Sequence, residues 1–214
     1  MTSCQCQGIE VQFDSREAAK KLAEYQKNGP AGTTRILIEA LKEKGIEGST
    51  LLDIGGGIGA IQLALLKAGA RSAVSVEAST AYIEAAQQEA RHQGLEDRIQ
   101  FQHGDFVELA DGLPSVDIVT LDRSLCCYPD MPALVSRSAS RAKRLYALVY
   151  PRDTWWMRLG LDLLNRLQGL RRCSFRAFVH PTQAVETILQ EHGLQRRFYR
   201  RSGVWQIAIY ARPA

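Results

Sequence analysis

One stretch constrains this chain more than any other: Leu51-Leu-Asp-Ile-Gly-Gly-Gly-Ile-Gly-Ala60. A short apolar run stopped by glycines reads as a buried strand that turns sharply into a helix. The rest of the chain keeps that alternation. Strands are predicted over 50–54, 72–77, 99–103, 116–121 and 145–150, with helices over 58–67, 80–93, 132–140 and from Pro181 to His192. Ser79 is the expected N-cap of the second helix, and Gly69 and Gly94 the expected C-terminal stops. The last two runs, 195–200 and 204–210, read as a hairpin turning at Ser202-Gly203. Strands alternating with helices predict an α/β fold: a doubly wound, mostly parallel seven-stranded sheet with a closing antiparallel hairpin.

Two pieces stand outside this pattern. Residues 1–49 are expected to form a helical cap or lid, with amphipathic helices near 15–26 and 33–44, ahead of a ligand-binding domain over 50–214. Residues 152–178 are expected as an insertion after the fifth strand. Its Trp155, Trp156, Leu159, Leu163, Leu164 and Leu167 share one side of a helix. Both pieces are predicted to close over the carboxyl edge of the sheet.

A length of 214 residues suits one domain with an elaboration, and 45% hydrophobic against 23% charged residues excludes a disordered or fibrous chain. No stretch approaches the length of an apolar span, and Met1-Thr-Ser-Cys-Gln-Cys-Gln7 has no secretory pattern, so a cytoplasmic protein is expected. An odd five cysteines argue against a disulfide framework. Charge is uneven: residues 123–214 carry +11 and residues 1–122 carry −7. The arginines are scattered and no nucleic-acid motif accompanies them, so a small-molecule partner is expected and a nucleic acid is not.

The glycines let a backbone approach a nucleotide-like ligand closely. Glu77 ends the next strand, 22 residues after Gly55, where a carboxylate can accept ribose hydroxyl protons. Gly55-x-Gly57-x-x-Ala60 also fits the dinucleotide pattern, which keeps NAD open. Three features favour S-adenosylmethionine. Asp53 suits a cationic ligand and does nothing for a pyrophosphate. About 50 residues precede the first strand. The chain closes with a hairpin, without a second nucleotide-binding half.

At this point Asp53-Ile-Gly-Gly-Gly-Ile-Gly59, Glu77, His103-Gly-Asp-Phe106 and Asp122 together resemble the ordered motifs of class I S-adenosylmethionine-dependent methyltransferases. The resemblance implies that Asp53, Gly55, Gly57, Gly59 and Glu77 hold the cofactor. It also implies that Asp105 takes the adenine amino group, Phe106 offers its backbone N–H to the ring, and Asp122 faces the methionine end or the substrate. Asp122-Arg-Ser-Leu-Cys-Cys-Tyr-Pro129, Pro151-Arg-x-x-Trp-Trp156 and Phe178-Val-His-Pro181 are similar to the magnesium-protoporphyrin O-methyltransferase branch. There Cys127 stands where those enzymes carry a histidine, and Tyr25 matches a lid tyrosine. The resemblance thus makes Tyr25, Asp122 and Cys127 the candidate catalytic residues. Arg123, Arg152, Trp155 and His180 are candidate substrate contacts. A cofactor-binding module without chemistry and an RNA methyltransferase are the alternatives. The second lacks an Asn/Asp-Pro-Pro-aromatic motif after the fourth strand.

Adjacent Cys126 and Cys127 are not expected to share one face of an extended segment. With Cys4-x-Cys6 they make unusual metal-ligand spacing, so no metal is expected. Cys173 reads as structural, His103 as packing beside the adenine motif, and His180 as a helix cap or packing residue.

Overall fold

The computed structural model describes residues 4–170 and 175–213, without the side chains of 4–7 and 168–170. A seven-stranded sheet runs through it in the order β3-β2-β1-β4-β5-β7-β6. The strands are β1 (Thr50–Ile54), β2 (Ser72–Glu77), β3 (Ile99–His103), β4 (Val116–Asp122), β5 (Ala142–Pro151), β6 (Gln195–Ser202) and β7 (Trp205–Ala211). β1 to β5 pair in parallel, and β7 runs antiparallel between β5 and β6. This is the α/β sheet that the alternation predicts. The strand order reverses at β1, between β2 and β4, and an open α/β sheet binds its ligand in the crevice at such a point.

Both sheet faces are buried, which explains the continuous apolar runs. Alternate residues of β5 and β7 divide between two cores. Tyr146, Leu148, Tyr150, Ala208 and Tyr210 join the layer of α7 (Met131–Arg141) and α9 (Thr182–Glu191). Leu145, Ala147, Val149, Ile207 and Ile209 join that of α3 (Gly32–Lys42) and α4 (Ala60–Lys67). Ser138 and Tyr146, both buried, satisfy each other's hydroxyls at 2.8 Å.

The N-terminal helices divide in role. α3 buries Leu37, Ile38 and Leu41 in the sheet's own core. α2 (Ser15–Asn28) is capped by Asp14, which accepts from Glu17 N–H at 2.9 Å. It sets Ala18 and Leu22 against Tyr82 and Ala85 of α5 (Thr80–His92). Ser79 caps α5 as expected, accepting from Tyr82 N–H. A further helix, α1 (Cys4–Gln12), is one that no sequence pattern announces. Its polar, glycine-containing sequence has no apolar stripe. Contacts through Glu10 fix it instead: that carboxylate accepts from Thr80 Oγ1 at 2.7 Å and lies 3.1 Å from His103 Nε2.

Other expectations shift by a few residues. β5 begins three residues early at Ala142, and Pro181 is the N-cap of α9, not its first turn. The 152–178 insertion contains α8 (Trp155–Leu170), but its apolar stripe faces outward: Trp155, Leu159 and Leu163 are 77%, 63% and 59% exposed. Cys173 lies outside the described residues, as do the side chains of Cys4 and Cys6.

Candidate functional site

A cavity of about 820 Å³ opens at the carboxyl ends of β1, β2 and β4. Its floor is the glycine turn. Gly55 has φ +66°, and a Cβ there would stand 2.5 Å from Ser124 Cβ; at Gly56 it would meet Asp53 Oδ2 at 2.9 Å. The first glycine is therefore required by both conformation and space.

Three carboxylates organise the turn and its flanks. Glu77 Oε2 accepts from Gly57 N–H at 2.9 Å, and Oε1 accepts from Ala78 and Ser79 N–H at 2.8 and 3.0 Å. It thereby staples the turn to the end of β2. Burial raises its pKa, while these three donors work to lower it. Asp105 caps the short helix α6 (Phe106–Leu109) by accepting from Val107 N–H at 2.9 Å, and receives the Tyr128 hydroxyl at 3.0 Å. Asp53 is 1% exposed. Its Oδ1 accepts from Thr120 Oγ1 at 2.6 Å, and its Oδ2 has no partner. Burial, then the negative charge of Asp122 and Glu77, pushes its pKa up to about 7 against the help of Thr120.

The β4 end supplies the opposite wall. Asp122 accepts from Thr34 Oγ1 at 2.5 Å and pairs with Arg123 Nε at 3.2 Å. Arg123 has φ +59°, a left-handed conformation for a non-glycine residue. Its guanidinium also reaches Thr34 Oγ1 at 3.2 Å. The following residues form one 3₁₀ turn, Leu125–Cys127, which corrects the expectation for the cysteines. Tight turning brings the Sγ atoms within 4.0 Å, and both residues line the cavity. The Cys127 thiol pKa is driven upward by its contact with Cys126, by burial and by negative charge on Cys126, while the same contact lowers that of Cys126.

Helices α1 and α2 and the turn between them roof the cavity with Ile9, Phe13, Glu17, Lys21 and Tyr25. Phe13 is held by its carbonyl, which accepts from Ser79 Oγ at 2.7 Å, and by its ring 5.7 Å from Tyr82. Arg35 ties down the α2–α3 connection by donating to the carbonyls of Asn28 and Pro30. Burial, with Glu89 nearby, raises the pKa of the Tyr25 phenol.

The structure gathers Tyr25, Asp53, Gly55, Gly57, Glu77, Asp105, Phe106, Asp122, Arg123 and Cys127 around this one space. Gly59 sits just behind it as the N-cap of α4. Three expected substrate contacts are elsewhere. Trp155 is exposed on α8. Arg152 donates to the Gly203 carbonyl. His180 is buried under the cysteine turn, its Nε2 3.1 and 3.0 Å from the carbonyls of Leu125 and Tyr128. It steadies the turn from below and makes no side-chain cap. His103 lies outside the cavity, latching α1. Sequence reasoning missed Phe13, Thr34, Tyr82, Ser124, Tyr128 and Trp205, all of which line the cavity. For several of them, adjacency to Ser79, Arg123 or Pro129 in the chain is the one signal that pointed at the site.

Asp53 offers a test of cofactor fit. A buried carboxylate oxygen with no donor, beside a glycine cradle that a Cβ would fill, calls for a cationic or N–H-bearing group. The donor set fits a nucleoside carrying a positively charged tail.

Comparison with known proteins agrees. Residues 51–144 match the methyltransferase domain family. The structure is similar to that of magnesium protoporphyrin IX methyltransferase from Synechocystis, solved with bound S-adenosylhomocysteine: TM-score 0.74, 21% identity, 98% of this chain and 100% of that one. An O-methyltransferase family protein from Burkholderia thailandensis gives 0.72 at 16% identity, over 96% of this chain and 63% of that one. Ribosomal protein L11 methyltransferase of Deinococcus radiodurans is 37% identical over 76 residues, 36% of this chain and 28% of that enzyme. The Clostridium botulinum enzyme is 27% identical over 99 residues, 46% of this chain and 31% of its own length. The chain thus spans less than a third of the curated relatives it matches. Residues 51–144 are a methyltransferase domain, and the chain has the fold of the class I S-adenosylmethionine-dependent methyltransferases.

Proposed function

We propose that this protein transfers a methyl group from S-adenosylmethionine to a small, partly aromatic acceptor that needs no deprotonation by the enzyme. The observation that carries this reading is the cavity itself. It joins the Asp53–Glu77 floor to a roofed space lined by Phe13, Tyr25, Tyr82 and Trp205. A roofed volume of about 820 Å³ suits a cofactor with a compact acceptor.

Asp53 Oδ2 would receive the cationic tail of the cofactor, Glu77 the ribose, and Asp105 and Phe106 the adenine. Gly55 and Gly57 allow the close approach, and Gly59, left-handed at φ +83°, turns the chain into α4. When bound, S-adenosylmethionine supplies a methyl on a sulfonium, and its transfer leaves a neutral thioether. The chain's own work is positioning and exclusion of water. Neither facing acid is tuned as a base: Tyr25 and Cys127 both have raised pKa values and keep their protons. Asp122 is tied to Thr34 and Arg123. Such a wall suits an acceptor already nucleophilic, foremost a carboxylate, which Arg123 beside the cysteine turn would grip, since Lys21 is already paired with Glu24. Carboxylate oxygen attack forms the new C–O bond as the C–S bond breaks, giving a methyl ester. Tyr25 and Cys127 then act as hydrogen-bond donors that orient the acceptor.

The L11 methyltransferase matches favour a second reading, a protein side chain as acceptor. Labelled methyl donor, offered with aromatic carboxylic acids, ribosomal protein and RNA in parallel, separates them. The proposal expects base-labile label on the acids. Label on protein or RNA alone would overturn it.

A further inference from the structure

The largest anomaly outside the cavity is α8. Trp155, Trp156, Leu159, Leu163, Leu164 and Leu167 are between 41% and 77% exposed on one helix. Single exposed apolar residues need no explanation, but a contiguous stripe of six does. None of the six lines the cavity, so the stripe is no inner wall of the site. The helix is anchored at its margins, where Asn165 holds Ala177 through both its amide groups and Arg158 pairs with Asp153 at 2.6 Å.

What lies beside its start is basic. Arg152, three residues before Trp155, bonds through its N–H to Val204 O at 2.8 Å and through its guanidinium to Gly203 O. The first turn of α8 therefore abuts the tip of the β6–β7 hairpin. That tip presents Arg200 and Arg201 on opposite faces of β6, with Tyr199 exposed beside Arg201 and Val204 exposed beyond the turn. Along β6, Arg196 pairs with Glu186; Arg197, Arg200 and Arg201 have no carboxylate partner among the described residues. α8 itself carries a single acid, Asp162, and Asp153 just before it is already paired with Arg158. Meanwhile no described helix is long and apolar enough to cross a membrane.

We propose that α8 and the hairpin tip form a peripheral docking surface for an anionic lipid bilayer. The helix would lie in the plane of the interface with Trp155 and Trp156 at headgroup level and Leu159, Leu163 and Leu167 below. Arg152, Arg200 and Arg201 would meet the lipid phosphates beside it. Apolar area supplies the depth of binding, and the arginines supply the preference for negative charge. A bilayer is favoured over a second protein because an apolar stripe flanked by arginines that have no carboxylate partner among the described residues matches both layers of an anionic interface at once.

The full-length protein should float with phosphatidylcholine–phosphatidylglycerol vesicles, bind phosphatidylcholine vesicles less, and release as salt rises. Acyl chains brominated near the headgroup should quench its tryptophan emission, and W155F/W156F should abolish that quenching, leaving Trp205 in the cavity. The variant L159Q/L163Q should weaken partitioning by at least about tenfold, while its affinity for S-adenosylhomocysteine, measured by calorimetry, stays that of wild type. R200Q/R201Q should lose the preference for phosphatidylglycerol. A wild-type protein that stays soluble with anionic vesicles at low salt would overturn the proposal. So would a dimer that covers the stripe, detected as a mass that L159Q/L163Q halves without any vesicle binding.

Discussion

Replacing Asp53 by Asn tests the site most directly, because it separates what the carboxylate does for ligand from what it costs the fold. Asp53 is wholly buried, takes a single hydrogen bond from Thr120, and sits near Asp122 and Glu77, so its pKa rises from 3.8 to about 7. A carboxyl whose folded pKa exceeds its unfolded value holds its proton more tightly in the fold. Stability therefore falls as pH rises from about 4 to about 7 and is flat above. The shift of about 3 units bounds that loss at on the order of 4 kcal/mol. At about pH 8 the ligand-free D53N protein should melt several degrees above wild type, by the usual conversion for a chain of this size. Ligand affinity should move the other way. A cation on Oδ2 draws the proton off, so wild-type affinity for S-adenosylhomocysteine should fall by up to about tenfold per pH unit below 7. D53N should bind at least about tenfold more weakly at pH 8, the loss of one charge-assisted hydrogen bond, and with no pH slope. Calorimetry and thermal melts at about pH 6 and pH 8 read both effects. Equal affinity of wild type at the two pH values, or undiminished binding by D53N, would refute the assignment of Oδ2 to a cationic group.

E77A should orphan the N–H groups of Gly57, Ala78 and Ser79 and cost on the order of 3 kcal/mol in a denaturant titration, and should weaken cofactor binding as well. G55A combines a φ of +66° with a Cβ 2.5 Å from Ser124 Cβ, so a loss of about 1–3 kcal/mol and weakened binding are expected. C127S keeps a donor where the thiol stands; methyl transfer should persist with an unchanged pH profile, and a profile displaced by that substitution would make Cys127 the base.

The fold was legible where burial is two-sided or periodic. The runs ending at Ile54, Glu77 and Tyr150 could be nothing but interior strands, and Ile54 and Tyr150 are stopped at once by a glycine and a proline. The floor of the site was legible for the same reason: Gly55 and Asp53 answer to backbone shape and to charge, and both leave their mark in a few adjacent letters. The roof was not. α1 has no apolar periodicity, and Glu10, meeting Thr80 and His103 some 70 and 93 positions away, holds it. Trp205 lines the cavity because β7 pairs it with Pro151, a register no local pattern announces. Conversely, the stripe on α8 was legible as a helix face, but periodicity records that a face is apolar and says nothing about what covers it. The cysteine turn failed for a third reason: an extended path after β4 was the default, whereas Arg123 turns left-handed and the chain coils at once.

That turn also shows where this protein accepts locally unfavourable geometry. Arg123 at φ +59°, Gly55 and Gly57 at positive φ, and the orphaned oxygen of Asp53 all stand at the carboxyl ends of β1 and β4. Ser124, whose buried hydroxyl has no partner, touches Gly55 across the same gap. The left-handed Arg123 and the two unpartnered oxygens each cost on the order of 1–3 kcal/mol, and the surrounding sheet must hold them together. β4 is clamped between β1 and β5, with its Val119 and Leu121 buried in one core and its Ile118 in the other. His180 braces the cysteine turn from beneath. Local rules are thus broken together where two parallel strands part, at the floor of the cavity. A cationic ligand seated on Asp53 would relieve the cost of its orphaned oxygen, so binding should stiffen the Gly55–Gly57 and Arg123–Cys127 segments together, and amide exchange of both should slow in concert when S-adenosylhomocysteine is added. Protection of one segment without the other would mean that the two strand ends do not share a ligand.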